Sequence, residues 1–312
     1  METMSRRNAL RLAGGAVGAG VVGTTTLAGG GALAETLAGS EARRRQRTGL
    51  KAVLRRGTPL IGMSTPNDLW AQKVEQVGPG LTARRIYADL ARGPESQLRT
   101  IEQAHRDGML PVVSYKVGGD IEGAARGDWN RVAQQAADRL AAFNKPTAVA
   151  FWHEPYTDMS PRQFVRANRQ ILPHFKQGRL RVGPILNGFL LDRQEDVMDQ
   201  FATDRMLRLW DWFGIDTYQG GTADNPGPMA PGDRIKALRR YLRRRGHRHM
   251  PIGVGEYNGH SAETVASAGE ALLSTHRVWF GCIWNSTDER DWRLDGARLR
   301  AFQRTLEDPR AM

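Results

Sequence analysis

The chain has 312 residues, with 45 Lys and Arg against 33 Asp and Glu, for a formal charge of +12. Its 40% hydrophobic content, eight Trp and 25% charged residues suffice for a sizeable core, which excludes global disorder, collagen-like repeats and coiled coil. Cys282 is the one cysteine, so internal disulfides, Cys-rich zinc sites and Cys-ligated iron–sulfur clusters are excluded as well.

The first feature along the chain is a targeting segment. Residues 5–11 read Ser-Arg-Arg-Asn-Ala-Leu-Arg, a twin-arginine pattern. The weakly apolar stretch that follows holds eight glycines between Gly14 and Gly31. Glycine weakens transfer into lipid, so no stable membrane anchor is expected. Ala32-Leu33-Ala34 supplies small residues at both positions that a signal peptidase reads, which puts cleavage near Ala34. Loss of Glu2, Arg6, Arg7 and Arg11 leaves a charge of +10 on a mature chain that works outside the cytoplasm, secreted or associated with the cell wall. Residues 35–56 carry a basic run from Arg43 to Arg56 and read as a linker or first helix, and 57–308 as one domain.

Eight short apolar runs follow, at 59–64, 83–88, 110–115, 147–153, 180–186, 212–218, 251–257 and 278–285. They are rich in Val, Ile, Phe and Tyr and nearly continuous, as expected of parallel strands covered on both faces. Helical punctuation separates them. Ser160-Pro161-Arg162-Gln163 opens one helix with a capping Ser, Pro at the first position and Gln at the third. Gly178 and Gly246 stand just past basic helix ends, where positive φ is wanted. Eight βα units in about 250 residues predict an α/β fold of one kind, a single (β/α)8 TIM barrel after a signal peptide. The alternative, a doubly wound open sheet, lacks support: no Gly-rich dinucleotide fingerprint or phosphate loop is present.

Chemistry in such barrels sits at the C-terminal strand ends. In order, those ends supply Ser64 and Thr65; Tyr87 and Asp89; Tyr115, Lys116 and Asp120; His153-Glu154-Pro155-Tyr156; Asn187; Asp216-Thr217-Tyr218; Glu256-Tyr257-Asn258; and Trp284-Asn285. Two carboxylates, at the ends of strands four and seven, stand among Trp, Tyr, His and Asn. Aromatic faces stack on sugar C–H surfaces while amides and phenols bond hydroxyls, so this set suits a carbohydrate cleft. The long Gly- and Pro-containing segment at 220–232 is expected to wall it. Trp152, Trp279 and Cys282 read as core.

At these residues the sequence resembles the retaining (β/α)8 glycosidases of clan A, most closely glycoside hydrolase family 26, the β-mannanase and related endo-glycanase group. The resemblance implies Glu154 as acid/base, preceded by His153, and Glu256 as nucleophile. It also implies Tyr218 as a hydrogen-bond partner of the nucleophile and Trp284 as the floor under the reacting sugar. Tyr115, Lys116, Asn187, Asp216 and Asn258 complete the candidate substrate contacts. The chain departs from the family in three places. Ala150-Phe151-Trp152 stands where the family has Arg-Pro shortly before His-Glu, Pro155-Tyr156 replaces a Gly-Trp segment, and strand three ends Tyr115-Lys116 rather than Trp-His. The implied activity is hydrolysis of a polysaccharide or oligosaccharide by double displacement, with no metal or organic cofactor and a monomeric chain. The rival class is a secreted carbohydrate-binding barrel without turnover; the presence of both carboxylates favours the enzyme. Nucleic-acid binding is not expected, because no recognised motif accompanies the Arg residues.

Overall fold

The computed structural model of the protein describes residues 58–287 and 292–311. The twin-arginine segment, its cleavage site and the basic run before Gly57 lie outside the described residues.

Nine parallel strands, β1 (Leu60–Ser64), β2 (Ala83–Asp89), β3 (Leu110–Lys116), β4 (Thr147–Phe151), β5 (Leu180–Val182), β6 (Ile185–Asn187), β7 (Phe213–Tyr218), β8 (Ile252–Asn258) and β9 (Val278–Trp284), run in the order β5-β4-β3-β2-β1-β9-β8-β7-β6. Crossovers between them carry α1 (Trp70–Val77), α2 (Leu98–Arg106), α3 (Ile121–Arg126), α4 (Asn130–Ala142), α5 (Pro161–Ile171), α6 (Leu190–Arg193), α7 (Glu195–Phe201), α8 (Asp204–Leu209), α9 (Pro231–Arg244) and α10 (Ala262–Ser274), and α11 (Gly296–Glu307) follows the last strand.

The two edge strands are halves of one expected strand, interrupted at Gly183-Pro184. Pro184 has no N–H to give a ladder, and a Cβ on Gly183 would lie 2.4 Å from the Trp212 ring. Hydrogen bonding nevertheless runs across the break, from Gly183 N to Val149 O (2.9 Å) and from Gly214 N to Pro184 O (3.0 Å). β5 pairs with β4 and β6 with β7, and a parallel bridge between His153 and Ile185 joins the ends. The sheet is therefore a closed ring of eight strand positions, the expected (β/α)8 barrel, with its fifth strand in two pieces.

Packing divides into an inner and an outer core. Leu110, Val112, Ala148, Trp212, Phe280 and Cys282 fill the barrel, and the larger outer cluster lies between strands and helices. Trp212 packs on Trp279 and Phe280 at ring-centroid distances of 6.2 and 5.2 Å, plugging the interior. The expected capping box forms at α5: Gln163 N donates to Ser160 Oγ (3.3 Å), and Gln163 Oε1 accepts from Ser160 N (2.9 Å). Gly178 and Gly246 take φ of 54° and 79°. Among the described residues no helix is long and apolar enough to cross a membrane.

Candidate active site

Side-chain alternation decides which strand-end residues face the barrel axis. On β2, Ala83 belongs to the inner core and Ile86 and Ala88 to the outer one, so Arg85 and Tyr87 point inward. On β3, Val112 is inner and Val113 and Tyr115 are outer.

Two local irregularities break this alternation, and each delivers a candidate residue. Ile252 and Val254 on β8 face outward, and strict alternation would send Glu256 after them. Instead β8 slips by one residue against β7: Ile215 pairs with Val254, but the next residue, Asp216, pairs with Glu256. Gly255 is the extra residue of a β-bulge, which turns Glu256 inward and Tyr257 into the outer core. Only glycine fits there, because a Cβ would lie 2.4 Å from Asp216 Oδ1 and 2.9 Å from Ile185. After β4, Trp152 (φ 60°) and Glu154 (φ 50°) are both left-handed, a conformation that costs a non-glycine residue about 1–3 kcal/mol. Trp152 thereby joins Phe151 on the outer side, and its Nε1 donates to Asp158 Oδ2 (2.8 Å). His153 turns inward, its Nδ1 3.0 Å from Ser114 Oγ and its ring 5.2 Å from that of Tyr87. Glu154 N donates to Ile185 O (2.9 Å), seating the residue on the barrel seam.

Glu256 is 4% exposed. Tyr87 donates its hydroxyl proton to one carboxylate oxygen and Tyr218 donates to the other. Tyr87 is in turn 2.9 Å from Ser64 Oγ. Burial first, and then the negative field of Glu256, push both phenols well above the ordinary tyrosine pKa, so they remain donors. Asp216 and Glu154 add to the field at Tyr218, which brings the two candidate glutamates into one electrostatic neighbourhood. Below Tyr87 lies Arg85, 2% exposed, with its guanidinium carbon 4.7 Å from the Tyr87 ring centroid and Nη1 3.4 Å from Val112 O. Burial opposes its charge, but the carboxylates of Asp216 and Glu256 outweigh burial and hold its pKa above the usual value. The mouth thus contains a carboxylate held by two phenols over a buried cation.

Trp284 extends the site, its ring 6.2 Å from Tyr87 at an interplanar angle of 83°. The structure therefore brings together Glu154, Glu256, His153, Tyr218 and Trp284. Other candidates lie elsewhere. Tyr115 is 1% exposed and stacks on Phe175 at 5.2 Å in the helical layer, because outward alternation on β3 carries it away from the mouth. Asn258 is fully buried and its Nδ2 serves Trp284 O (2.7 Å) and Trp292 O (2.8 Å), so it clamps the loop after β9 and offers no donor to a sugar. Asp216, 2% exposed, lies beneath the floor as a charge partner of Arg85. Lys116 reaches the rim but is drawn to the loop after β4, 3.3 Å from Asp158 and 4.8 Å from the Trp152 ring centroid. Asn187 Oδ1 accepts from Tyr156 N (3.1 Å) and so positions that loop.

Three contributors escaped sequence reasoning as site residues. Tyr87 was visible as a strand-end aromatic, and Arg85 two residues earlier shares its face. Trp292, with its ring 5.4 Å from Tyr218 and stacked on His260 at 4.8 Å, comes from the loop after β9, where no pattern announces it. The segment after β7 folds on itself through a bridge between Gly221 and Pro226, and Gln219 fastens its base by accepting from His260 N (3.1 Å). Arg234 at the start of α9 ties Tyr218 O to Asp192, which it grips at 2.7–3.1 Å.

No protein-family model and no curated protein matches the chain. Solved structures do. The fold is similar to that of the Cellulomonas fimi endo-β-1,4-mannanase, with a TM-score of 0.61 at 15% identity over 86% of this chain and 75% of that one. It is also similar to the Thermotoga maritima endoglucanase Cel5A (TM-score 0.54, 9% identity, 81% and 99% covered). That enzyme's complex with mannotriose matches at a TM-score of 0.53 and 11% identity, with 80% and 99% covered. At these identities the likeness establishes the architecture: the chain has the (β/α)8 barrel of these glycoside hydrolases.

Proposed function

We propose that the protein is an exported retaining β-glycoside hydrolase that cleaves a polysaccharide by double displacement. The observation that carries this reading is Glu256, a nearly buried carboxylate turned into the barrel mouth by a bulge and held at both oxygens by tyrosine hydroxyls. The barrel shared with a mannanase and an endoglucanase supports it.

Each oxygen of Glu256 accepts one hydrogen bond and keeps a lone pair. Glu256 attacks the anomeric carbon with one of them, while Glu154 gives its proton to the departing oxygen. Glu154, now a carboxylate, takes a proton from water, and the hydroxide so formed releases the sugar from the Glu256 ester. Tyr87 and Tyr218 hold the nucleophile aimed. His153 orients Glu154 or a substrate hydroxyl from its place beside Ser114, and Trp284 floors the reacting ring.

β-1,4-Mannan is the first substrate to assay, with uronic-acid and bacterial wall polymers beside it because of the positive charge. Glu256→Ala should abolish turnover on every substrate. Glu154→Ala should keep cleavage of aryl glycosides whose leaving group needs no proton, and azide should speed that reaction because a small anion needs no general base. Equal loss in both variants, both shown to be folded, would overturn the assignment. A folded wild type that binds these polymers without releasing oligosaccharide would make it a binding protein.

A further inference from the structure

The segment 236–250, which forms the last turns of α9 and the turn into β8, holds seven Lys and Arg and no Asp or Glu. It reaches the end of the barrel opposite the mouth, because the helix of a βα unit runs back to where the next strand starts. The turn into β9 lies alongside: Ile252 N donates to Arg277 O (2.8 Å), and Ile252 pairs with Val278. Arg239, 7% exposed, ties α9 to the turn, with Nη1 donating to Arg248 O (3.1 Å) and Nη2 to Met250 O (2.8 Å). Around it Arg240, Arg243, Arg248, His249 and His276 are exposed and Arg277 is half-buried. These cations crowd one another. Burial first, and then Arg277 and Arg243, lower the Arg239 pKa from 12.5 to about 10. Burial, and then Arg239, Arg277 and His249, lower that of His276. Acidic side chains serve the neighbouring arginines instead: Arg244 pairs with Glu195 (2.6 Å), and Arg245 with Asp199 and with Asp204 (2.7 Å), on the side of α7 and α8. Arg240, Arg243, Arg248 and Arg277 form no ion pair with a described acidic residue. Like charges gathered without counter-charges repel, and an arriving anion relieves that repulsion.

The geometry points to a docking surface for a linear phosphodiester polymer of the cell wall, formed by Arg240, Arg243, Arg248 and Arg277 over Arg239 at the end of the barrel away from the mouth. The choice of occupant rests on the export reading, since an exported protein meets wall polymers rather than nucleic acid. A guanidinium takes two oxygens of one phosphate side by side. The four arginines stand on three segments, the end of α9 and the turns into β8 and β9, rather than in one row. A flexible chain with a charge in every repeat reaches each of them, whereas a stiff uronate chain laid straight meets fewer. Docking there tethers the protein to the wall and leaves the mouth, at the opposite end, open to a glycan.

The test measures binding of the purified protein to poly(glycerol phosphate), with polygalacturonate and phosphatidylglycerol vesicles beside it. The wild type should bind the phosphate polymer most tightly, and raising salt from about 50 to about 200 mM should weaken that binding at least tenfold. Combining Arg240→Gln, Arg243→Gln and Arg277→Gln should weaken it about tenfold at low salt. Combining Arg240→Lys, Arg243→Lys and Arg277→Lys, which keeps the charge, should retain most of it. Arg162→Gln, Arg166→Gln and Arg169→Gln together remove the same charge from exposed positions on α5 and should leave binding intact. Equal weakening in the two folded, neutralised variants would assign binding to net charge and overturn the surface, as would tighter binding to the vesicles or to polygalacturonate. The measurement involves neither export nor turnover, so its failure is distinct from failure of the export or glycosidase reading.

Discussion

A carboxylate that is 4% exposed persists only if its charge is answered, and Glu256 meets this condition with two phenols and a guanidinium. Each phenol fixes one oxygen of Glu256, so removing one hydroxyl loosens the nucleophile in its attacking position. Tyr87→Phe should therefore lower kcat while the protein stays folded. Activity at the optimum should drop roughly 10- to 100-fold, the worth of one hydrogen bond to a charged group. Arg85→Met should lower activity in the same way, and Arg85→Lys, which keeps the charge, should lower it less. Unchanged activity in folded Tyr87→Phe would show that the phenol does not hold Glu256 for attack. These residues illustrate what a linear reading reaches. Tyr218 and Trp284 stand out because an aromatic at a strand end is conspicuous, whereas Arg85 matters only because β2 closes against β3 and faces β7 and β8 across the barrel.

At the level of the element, the β8 bulge is the decisive device. Gly255→Ala would force Cβ against Asp216 Oδ1, and either the bulge or the Asp216 carboxylate must move. A displacement of about 1 Å at the nucleophile costs on the order of 100-fold in rate, so the expected outcome is a folded protein with kcat reduced at least that much. Wild-type kcat in the variant would show that the bulge does not aim Glu256. Where α2 packs near β4, His105 is 4% exposed with Nε2 3.2 Å from Thr147 Oγ1. Burial first, and then Lys145, lower its pKa from 6.5 to about 4. The unfolded chain binds this proton more readily than the folded one, so stability is intact above pH 6.5 and declines as pH falls from 6.5 towards 4. The loss is on the order of 2 kcal/mol. Urea titrations at pH 7 and 4.5 should record it, and His105→Gln should flatten the difference; an equal decline in the variant would assign the loss to other groups. The Ser160–Gln163 capping box was legible because its partners lie three residues apart. The inward turn of His153 was not, because it depends on left-handed backbone at Trp152, a residue type that carries no such signal.

For the whole molecule, the basic N-terminal pattern and the barrel make separate claims, since the first concerns delivery and the second chemistry. The Arg6-Arg7 pair is proposed to route the chain through a twin-arginine translocase, which carries folded cargo. Replacing both with Lys should strand the protein in the cytoplasm, as immunoblots of cell and medium fractions would read. Unchanged secretion would assign the general export pathway. Eight apolar runs and their helical spacers already determined a (β/α)8 barrel from the sequence, because hydrophobic period, caps and turn residues are local properties. The positions of Glu154 and Glu256 at the ends of the fourth and seventh runs followed from the same count. Only the tertiary structure decided which side chains face the axis: it put Tyr115 in the helical layer, Asn258 into a clamp and Asp216 under the floor, and it brought Tyr87, Arg85 and Trp292 to the mouth. One bulged or left-handed residue inverts the facing of everything beyond it on a strand, and what holds such a residue in place is contact with strands distant in the chain.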